Sequence, residues 1–143
     1  SYEKFIAVSA SDFNSAEMRI EDLCLTPLIL REKGSGTRNV FESVLKAHNL
    51  KLSDFKQTIE IGDFALIKKL IKDNVGISFM YRCVAADEIR SGVLKEIKLT
   101  NFSVVREFNF VYLKESLFEN EYLKFYDFCK RYGFVNETNV NSQ

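Results

Sequence analysis

This sequence of 143 residues has a single histidine, His48, and only three cysteines, Cys24, Cys83 and Cys129. Because these residues are few and far apart, we expect neither a His/Cys metal site nor a Cys-His nucleophile pair. The odd number of cysteines and their apolar surroundings indicate reduced core thiols rather than disulfides. For His48, on the apolar stripe of a predicted helix, we expect a packing or C-terminal capping role. The sequence thus predicts no catalytic residue and no metal.

The sequence also lacks net charge and a long apolar run. Its 20 Lys and Arg residues balance its 20 Asp and Glu residues. A balanced chain has no electrostatic footprint for nucleic acid or an anionic membrane. No apolar run approaches the roughly 20 residues that span a bilayer, and no signal-peptide pattern is present. We therefore expect no membrane contact, no DNA contact through these residues, and a cytoplasmic location.

The most informative stretch that is present is Gly34-Ser35-Gly36-Thr37-Arg38, which follows the apolar run 28–30 and opens a segment with helical spacing. The glycines permit a tight turn, and the two hydroxyls can cap a helix whose free N–H groups favour an anion. Two interpretations stay open: a capped turn alone, or a ligand-binding loop. The P-loop spacing and the third glycine of the dinucleotide motif are both missing. ATP and NAD are therefore not expected, and no cofactor is predicted.

Strand and helix patterns alternate along the chain, which predicts an α/β fold with a largely parallel sheet. The predicted strands are 5–8, 28–31, 57–61, 76–80, 93–99 and 104–113. Predicted helical segments are a turn at 21–25, a helix ending near Asn49, a helix capped by Asp63, a short helix at 85–90 and a final helix at 117–132. The helix ending near Asn49 has an apolar stripe of Val40, Phe41, Val44, Leu45 and His48, and the helix capped by Asp63 has one of Ile67, Leu70 and Ile71. The stretch 9–15 is predicted as a loop.

The final predicted helix, 117–132, has apolar residues around most of its circumference. Such a helix is normally buried in a larger core or at a subunit interface. The polar tail 136–143 offers nothing to cover it, and the chain begins without methionine. We therefore expect a chain cut from a longer protein, and a homodimer or higher homo-oligomer formed through this helix and exposed sheet edges.

The run Pro27–Arg38 resembles the effector-binding domain of LysR-type transcriptional regulators. Further segments resemble that family in the same order: 41–50, 60–63, 76–79, 82–99, and the strand 108–114 followed by the helix 117–132. The resemblance covers the chain from about Phe5 to Tyr132. It implies a Rossmann-like sheet with helices on both faces, which is a type 2 periplasmic-binding-protein-like subdomain. A closing strand and helix of a second, truncated subdomain would follow.

The resemblance also implies a domain organisation for the chain. Residues 1–100 would form effector-binding subdomain II, 101–134 the returning strand and helix of subdomain I, and 135–143 a polar tail. The chain would then be a C-terminal fragment. A winged helix-turn-helix, a linker helix and the start of subdomain I would precede it, and any DNA contact would come through that missing part.

In this family a small effector binds in the cleft between the subdomains, so the resemblance implies two groups of ligand-binding residues here. The first is Arg31, Glu32, Gly34, Ser35, Gly36, Thr37 and Arg38, and the second is Gly62 and Asp63. Some relatives have a hydroxyl where this chain has Gly62, which leaves a backbone N–H for a contact, and Asp63 is equally a helix cap. Glu32 would repel a carboxylate unless it pairs with Arg31 or Arg38. An anionic effector and one with an amine or hydroxyls both stay open.

The predicted function is that of a ligand-sensing regulatory domain of a LysR-type regulator, without enzyme activity. A solute-binding protein of the same fold is the first alternative, although it would require an export signal. A small α/β enzyme is the second alternative, although no base, nucleophile or metal cluster converges on the glycine turn.

Overall fold

The protein is described by a computed structural model in which residues 1–14, 16–108 and 117–131 are placed. The strands are β1 (Tyr2–Ala10), β2 (Leu28–Leu30), β3 (Thr58–Glu60), β4 (Ile77–Tyr81), β5 (Leu94–Ile97) and β6 (Val104–Glu107). The helices are α1 (Gly36–Ala47), α2 (Phe64–Lys72), α3 (Ala86–Arg90) and α4 (Glu119–Arg131), with short 3-10 turns at Ile20–Leu25, Leu52–Asp54 and Arg82–Ala85. The chain divides into a larger unit, Lys4–Val105, and a smaller unit of Ser1–Glu3 and Arg106–Gln143.

The sheet has the strand order β3-β2-β4-β1-β5, and β6 also pairs with β1. Strand β2 runs parallel to β3 and β4, as expected for strands joined through helices. Strand β1 runs antiparallel to β4 and β5, so the prediction of a largely parallel sheet is wrong for this strand. A 3-10 turn, not a helical crossover, lies between β1 and β2. The alternating pattern therefore did not constrain the direction of β1.

Helices cover both faces of this mixed sheet, as predicted. On one face, Phe41 and Leu45 of α1 pack with Phe5 and Phe79, and the Phe41 and Phe79 rings lie 4.4 Å apart. On the other face, the apolar side chains of α2 pack with the even-numbered residues of β1: the cluster includes Ile6, Val8, Ile67 and Ile71. Successive residues of a strand point to opposite faces, which is why β1 contributes to both clusters. The apolar stripes predicted for α1 and α2 are thus the buried ones.

Several boundaries differ from the prediction. Strand β1 begins at Tyr2 and continues to Ala10, so it includes the start of the predicted loop 9–15. The predicted strand 104–113 is confirmed over Val104–Glu107, and its residues 109–113 lie outside the described part of the chain. The final helix is confirmed over Glu119–Arg131, while Tyr132 and the tail 136–143 again lie outside that part. The predicted domain boundaries stay a prediction.

The final helix has no buried residue in the part of the chain that the structure describes. No residue of α4 falls in the buried class, and Phe125 and Phe128 are 56% and 53% exposed. The expected cover by a larger core or a second subunit is therefore still a prediction. No helix of the described residues is long and apolar enough to cross a membrane.

The cysteines and the histidine follow the sequence prediction in part. All three cysteines are free thiols. Cys24 is partly buried and packs against the core, and this burial raises the pKa of its thiol. Cys83 is exposed, so its predicted core position is wrong: it lies in the 3-10 turn Arg82–Ala85 that follows β4, where Ala85 is the buried residue. His48 ends α1, where its backbone N–H donates to Leu45 O at 3.0 Å, as a C-terminal capping position requires.

The close approach of β4 to the segment before β2 predicts that Gly76→Ala destabilises the fold. A Cβ at position 76 would lie 2.5 Å from the Pro27 carbonyl oxygen, and the Ile77 N–H already donates to that oxygen at 2.9 Å. The backbone would have to shift, at a cost of about 1–3 kcal/mol in the free energy of unfolding. Urea unfolding followed by circular dichroism measures this.

The matched control is Gly36→Ala in the first turn of α1, where a Cβ meets nothing within 4 Å. Alanine is well tolerated in a helix, so this variant should be as stable as the original or slightly more stable. Equal unfolding midpoints for the two variants would contradict the tight contact at Gly76.

Candidate functional site

The two predicted groups of ligand-binding residues lie side by side at one edge of the sheet. Strands β2 and β3 are parallel neighbours with Leu30 opposite Glu60, and the Ile61 N–H donates to Leu30 O at 2.8 Å. The turn after β2 and the turn after β3 therefore leave the sheet in the same direction. Ligands of open α/β sheets bind at this carboxyl edge.

The glycine turn is organised as a capped helix start. Gly34 has a φ of +94°, a conformation that favours glycine, and the Ser35 N–H donates to Glu32 O at 3.1 Å. Ser35 is the N-cap of α1, and its Oγ accepts from the Arg38 N–H at 3.2 Å. The backbone N–H groups of Gly36 and Thr37 donate to no acceptor among the residues that the structure describes. These two donors, at the positive end of the helix dipole, are available to a ligand.

Arg31 and Glu32 connect the two turns. Their side chains form a two-point ion pair, with Nε to Oε2 at 2.8 Å and the terminal nitrogen to Oε1 at 3.0 Å. The Arg31 guanidinium also lies over the ring of Phe64, 4.4 Å from its centroid, in the first turn of α2. A Cβ at Gly62 would lie 3.7 Å from Glu32 Oε2, which is ordinary contact. A hydroxyl at position 62 would therefore adjoin this carboxylate.

The Arg38 side chain is directed at protein groups. Its Nε donates to Glu42 Oε1 at 2.7 Å, and one terminal nitrogen donates to Glu60 Oε2 at 2.5 Å and to Arg31 O at 3.3 Å. The side chain is 12% exposed. Arg38 thus ties α1 to the end of β3 and to the turn between β2 and α1. Two carboxylates compensate a cation that the helix dipole at this position disfavours.

The pKa values of Arg31, Glu32 and Arg38 are shifted in the direction that favours the charged form of each side chain. The hydrogen bonds from Arg31 hold the pKa of Glu32 below its usual range, and Glu32 raises the pKa of Arg31. Glu42, and then Glu60, raise the pKa of Arg38. The charge of Glu32 is therefore paired with Arg31, the first of the two partners considered from the sequence.

Asp63 acts as the N-cap of α2, because its Oδ1 accepts from the Ala65 N–H at 2.7 Å. The capping interpretation of Asp63 is therefore confirmed, whereas its contact with a ligand stays a prediction. The sequence interpretation missed Phe64, Glu42 and Glu60. Glu42 could have been found from its spacing of four residues after Arg38 on one helix. Phe64 and Glu60 meet their partners only through the pairing of β2 with β3.

The sequence profile of the LysR substrate binding domain matches residues 2–133. This chain belongs to the LysR substrate-binding domain family. The matched region includes both turns of the candidate site. It also includes the whole segment from about Phe5 to Tyr132 in which the sequence resembles this family, so that resemblance is confirmed.

Individual relatives agree with this membership. The chain is 29% identical over 123 residues to the uncharacterized HTH-type transcriptional regulator YeiE of Escherichia coli K12. The matched region covers 86% of this chain and 41% of YeiE. Two solved structures share the fold. The CcmR regulatory domain of Synechocystis PCC6803, in complex with 2-PG, has a TM-score of 0.71 at 21% identity, with 92% of this chain and 63% of that chain covered. The effector binding domain of QuiR in complex with shikimate has a TM-score of 0.64 at 17% identity, with 94% and 63% covered.

The lowered pKa of Glu32 predicts a loss of stability in acid. A group whose pKa is lower in the folded than in the unfolded state stabilises the fold above its unfolded pKa of about 4.3, and this contribution disappears as the pH falls through the folded value. Glu32→Gln should therefore lower the midpoint of urea unfolding at pH 7 and have little effect at a pH below both values. Unfolding curves over this pH range measure the difference.

Glu17→Gln provides the control, since Glu17 is exposed and forms no ion pair with any residue in the described ranges. The same loss at pH 7 in both variants would contradict a specific contribution of the pair between Arg31 and Glu32.

Proposed function

We propose that this chain is the effector-sensing regulatory domain of a LysR-type DNA-binding transcription regulator, and that its effector binds at the start of α1. The observation that supports this proposal is the pair of backbone donors at Gly36 and Thr37, which have no acceptor in the described parts of the chain. They lie at the carboxyl edge of a parallel strand pair, where ligands of this kind of sheet bind. Family membership supplies the regulatory context.

The residues around these donors have different roles in the proposed site. Gly36 and Thr37 donate backbone N–H groups, and the Thr37 hydroxyl adds a donor or an acceptor. Ser35 accepts the Arg38 N–H and retains its own hydroxyl proton for a ligand. Gly34 permits the turn through its positive φ. Arg38 positions the turn through its bonds to Arg31 O and Glu60 and does not contact the effector.

The ion pair in the turn after β2 and the turn after β3 together give the proposed site its outer wall. Arg31 and Glu32 present a paired, charge-compensated surface beside Gly62. Asp63 holds the start of α2 through its cap. Such a surface accepts a polar effector of either kind: an anion directed at the α1 donors, or a molecule with hydroxyls or an amine directed at Glu32. The ligands of the relatives, 2-PG on CcmR and shikimate on QuiR, indicate small polar molecules as the class to test first.

Coupling to DNA would follow from a shift between two conformations of the regulator. An effector that binds one conformation more tightly displaces the equilibrium toward it. A complete switch requires about 5.5 kcal/mol of differential binding free energy. Charge-assisted hydrogen bonds contribute roughly 1.5–3 kcal/mol each, so two or three contacts at the α1 start are of the right size.

The wider biological role rests on the relatives. The chain spans less than half the length of YeiE, so DNA binding, homo-oligomer formation and the remaining effector contacts belong to the proposal for the whole protein. The name of that relative is that of a transcriptional regulator, which supports a domain without enzyme activity. A regulator that binds chromosomal DNA acts in the cytoplasm.

The direct test of the proposed function is to determine the complete coding sequence that contains this chain and to measure DNA binding by the complete protein. We expect an encoded winged helix-turn-helix and sequence-specific binding to a promoter region, measured by fluorescence anisotropy. An export signal in its place would indicate a solute-binding protein and overturn the regulator assignment.

The role proposed for the Thr37 hydroxyl predicts the effect of removing it. In the complete protein, Thr37→Val keeps the size of the side chain and removes its hydrogen-bonding group. We expect about tenfold weaker binding of an effector that raises the melting temperature in a screen of small polar metabolites, because one hydrogen bond contributes about 1 kcal/mol or more. Isothermal titration calorimetry measures the change.

Ser43→Ala is the matched control on the same helix. Its hydroxyl is exposed and donates to Asn39 O at 2.9 Å, so its loss leaves the start of α1 intact. Unchanged effector affinity in Thr37→Val, or an equal loss in both variants, would contradict the placement of the effector at this helix start.

A further inference from the structure

The Glu32 carboxylate is held in a fixed position beside the turn after β3. Both of its oxygens accept hydrogen bonds from Arg31, at 2.8 and 3.0 Å. The guanidinium that donates these bonds is itself held in place, because it lies 4.4 Å from the centroid of the Phe64 ring. Phe64 in turn packs against the apolar cluster that contains Ile67 and Ile71. The carboxylate is thus anchored to the core through Arg31 and Phe64.

Two features leave this anchored carboxylate accessible to a ligand. The Glu32 side chain is 45% exposed, and each of its oxygens has a second lone pair besides the one that Arg31 uses. A Cβ at Gly62 would lie 3.7 Å from Oε2, and apart from the chain neighbours of Gly62 no other atom of the described residues lies within 4 Å of that Cβ position. The space beside Oε2 is therefore open to a hydrogen-bond donor.

The turn after β2 carries both this carboxylate and the backbone donors of α1. The Ser35 N–H donates to the Glu32 carbonyl oxygen at 3.1 Å, and the donors of Gly36 and Thr37 follow directly along the chain. The N–H groups of a helix start favour an anion, whereas an ionised carboxylate accepts hydrogen bonds and donates none. The two parts of this turn therefore require opposite groups on a ligand.

The arginines of the site do not remove this requirement. Arg31 is used by Glu32 itself, and Arg38 is bound by Glu42 at 2.7 Å and by Glu60 at 2.5 Å. A ligand that is only anionic would place a like charge beside Glu32, which is unfavourable. A hydroxyl or ammonium group on the ligand converts this contact into a hydrogen bond to an ionised acceptor, which is one of the stronger kinds.

We propose that the effector of this site is an anion that also carries a hydrogen-bond donor, of the hydroxy acid or amino acid class. Its anionic group binds the start of α1, and its hydroxyl or ammonium group donates to Glu32 Oε2 in the space beside Gly62. This ligand class rests on the function proposed above. Glu32 determines the specificity, because an analogue without the donor leaves a polar group of the site unpaired. Arg31 and Phe64 are positioning residues that act through Glu32.

The test compares probes that differ only in the donor group: L-malate and L-aspartate against succinate, and L-lactate and L-alanine against propionate. Each probe is titrated into the complete protein by isothermal titration calorimetry. We expect at least one donor-bearing probe to bind about tenfold more tightly than its partner, because a hydrogen bond to a charged group has about this effect.

Two variants test the acceptor. Glu32→Ala removes it and should abolish the preference for the donor-bearing probe. Gly62→Ser should do the same, because its hydroxyl fills the space beside Oε2 and donates to that oxygen in place of the ligand. General damage to the turn would weaken both members of a pair and keep the ratio of their affinities. Glu42→Ala is the matched control and should keep the preference, since Glu42 is also 45% exposed and paired with an arginine, but on α1.

The positioning role of Phe64 is tested by the same ratio of affinities. Phe64→Leu removes the ring beneath the Arg31 guanidinium, so the preference should weaken. Phe64→Tyr keeps the ring face and should restore it. An equal preference in the leucine and tyrosine variants would contradict this role.

The proposed ligand class is overturned if none of the donor-bearing probes binds at about 1 mM, a weak-binding limit, or if none binds more tightly than its partner. An unchanged preference in Glu32→Ala also overturns it. Failure of the regulator function is a separate result, decided by promoter binding. A protein that binds promoter DNA without this preference keeps the proposed function and loses the ligand class. A protein that shows the preference without binding DNA keeps the ligand class and loses the regulator assignment.

Discussion

The parallel pairing of β2 with β3 is the interaction on which the candidate site depends. It places Leu30 opposite Glu60, so that the turns beginning at Arg31 and Ile61 leave the sheet together. Parallel neighbours require a crossover, and α1 supplies it between these two strands. The same helix therefore joins the strands and presents its first-turn donors at the edge that they create. A change in register of this pair would separate the two groups of site residues.

A small set of charges stabilises this arrangement, and the cations are the less exposed members. The Arg31 and Arg38 side chains are 20% and 12% exposed, whereas their partners Glu32 and Glu60 are 45% and 56% exposed. The guanidinium groups are held by the fold, and the carboxylates face outward. The candidate site thus has helix N–H donors on one side and carboxylates on the other. Exposed ion pairs of this kind contribute modestly to stability, so their main role is to fix the geometry of the turns.

Local features of this geometry were predictable from the sequence. Ser35 and Asp63 were expected as helix caps and are the N-caps of α1 and α2, and His48 was expected at the end of α1. Capping bonds join residues two to four positions apart, so the sequence contains both partners within one short segment. The apolar stripes of α1 and α2 were predictable for the same reason, since helical periodicity alone selects the buried face. The family resemblance, read from the order of such segments, was likewise correct.

The partners of Arg38 and the direction of β1 were not predictable in this way. The family resemblance placed Arg38 among the ligand-binding residues. Its partner Glu60 lies 22 residues away along the chain and is brought to it only by the sheet. The described residues between β1 and the next strand along the chain, β2, form a 3-10 turn and no α-helix, so the alternating pattern contained no information on the antiparallel direction of β1. The sequence by itself therefore determined the helix caps, the buried stripes and the family, because these depend on short-range spacing. Only the tertiary structure decided which charges pair and how β1 runs, because these depend on contacts between segments that are distant along the chain.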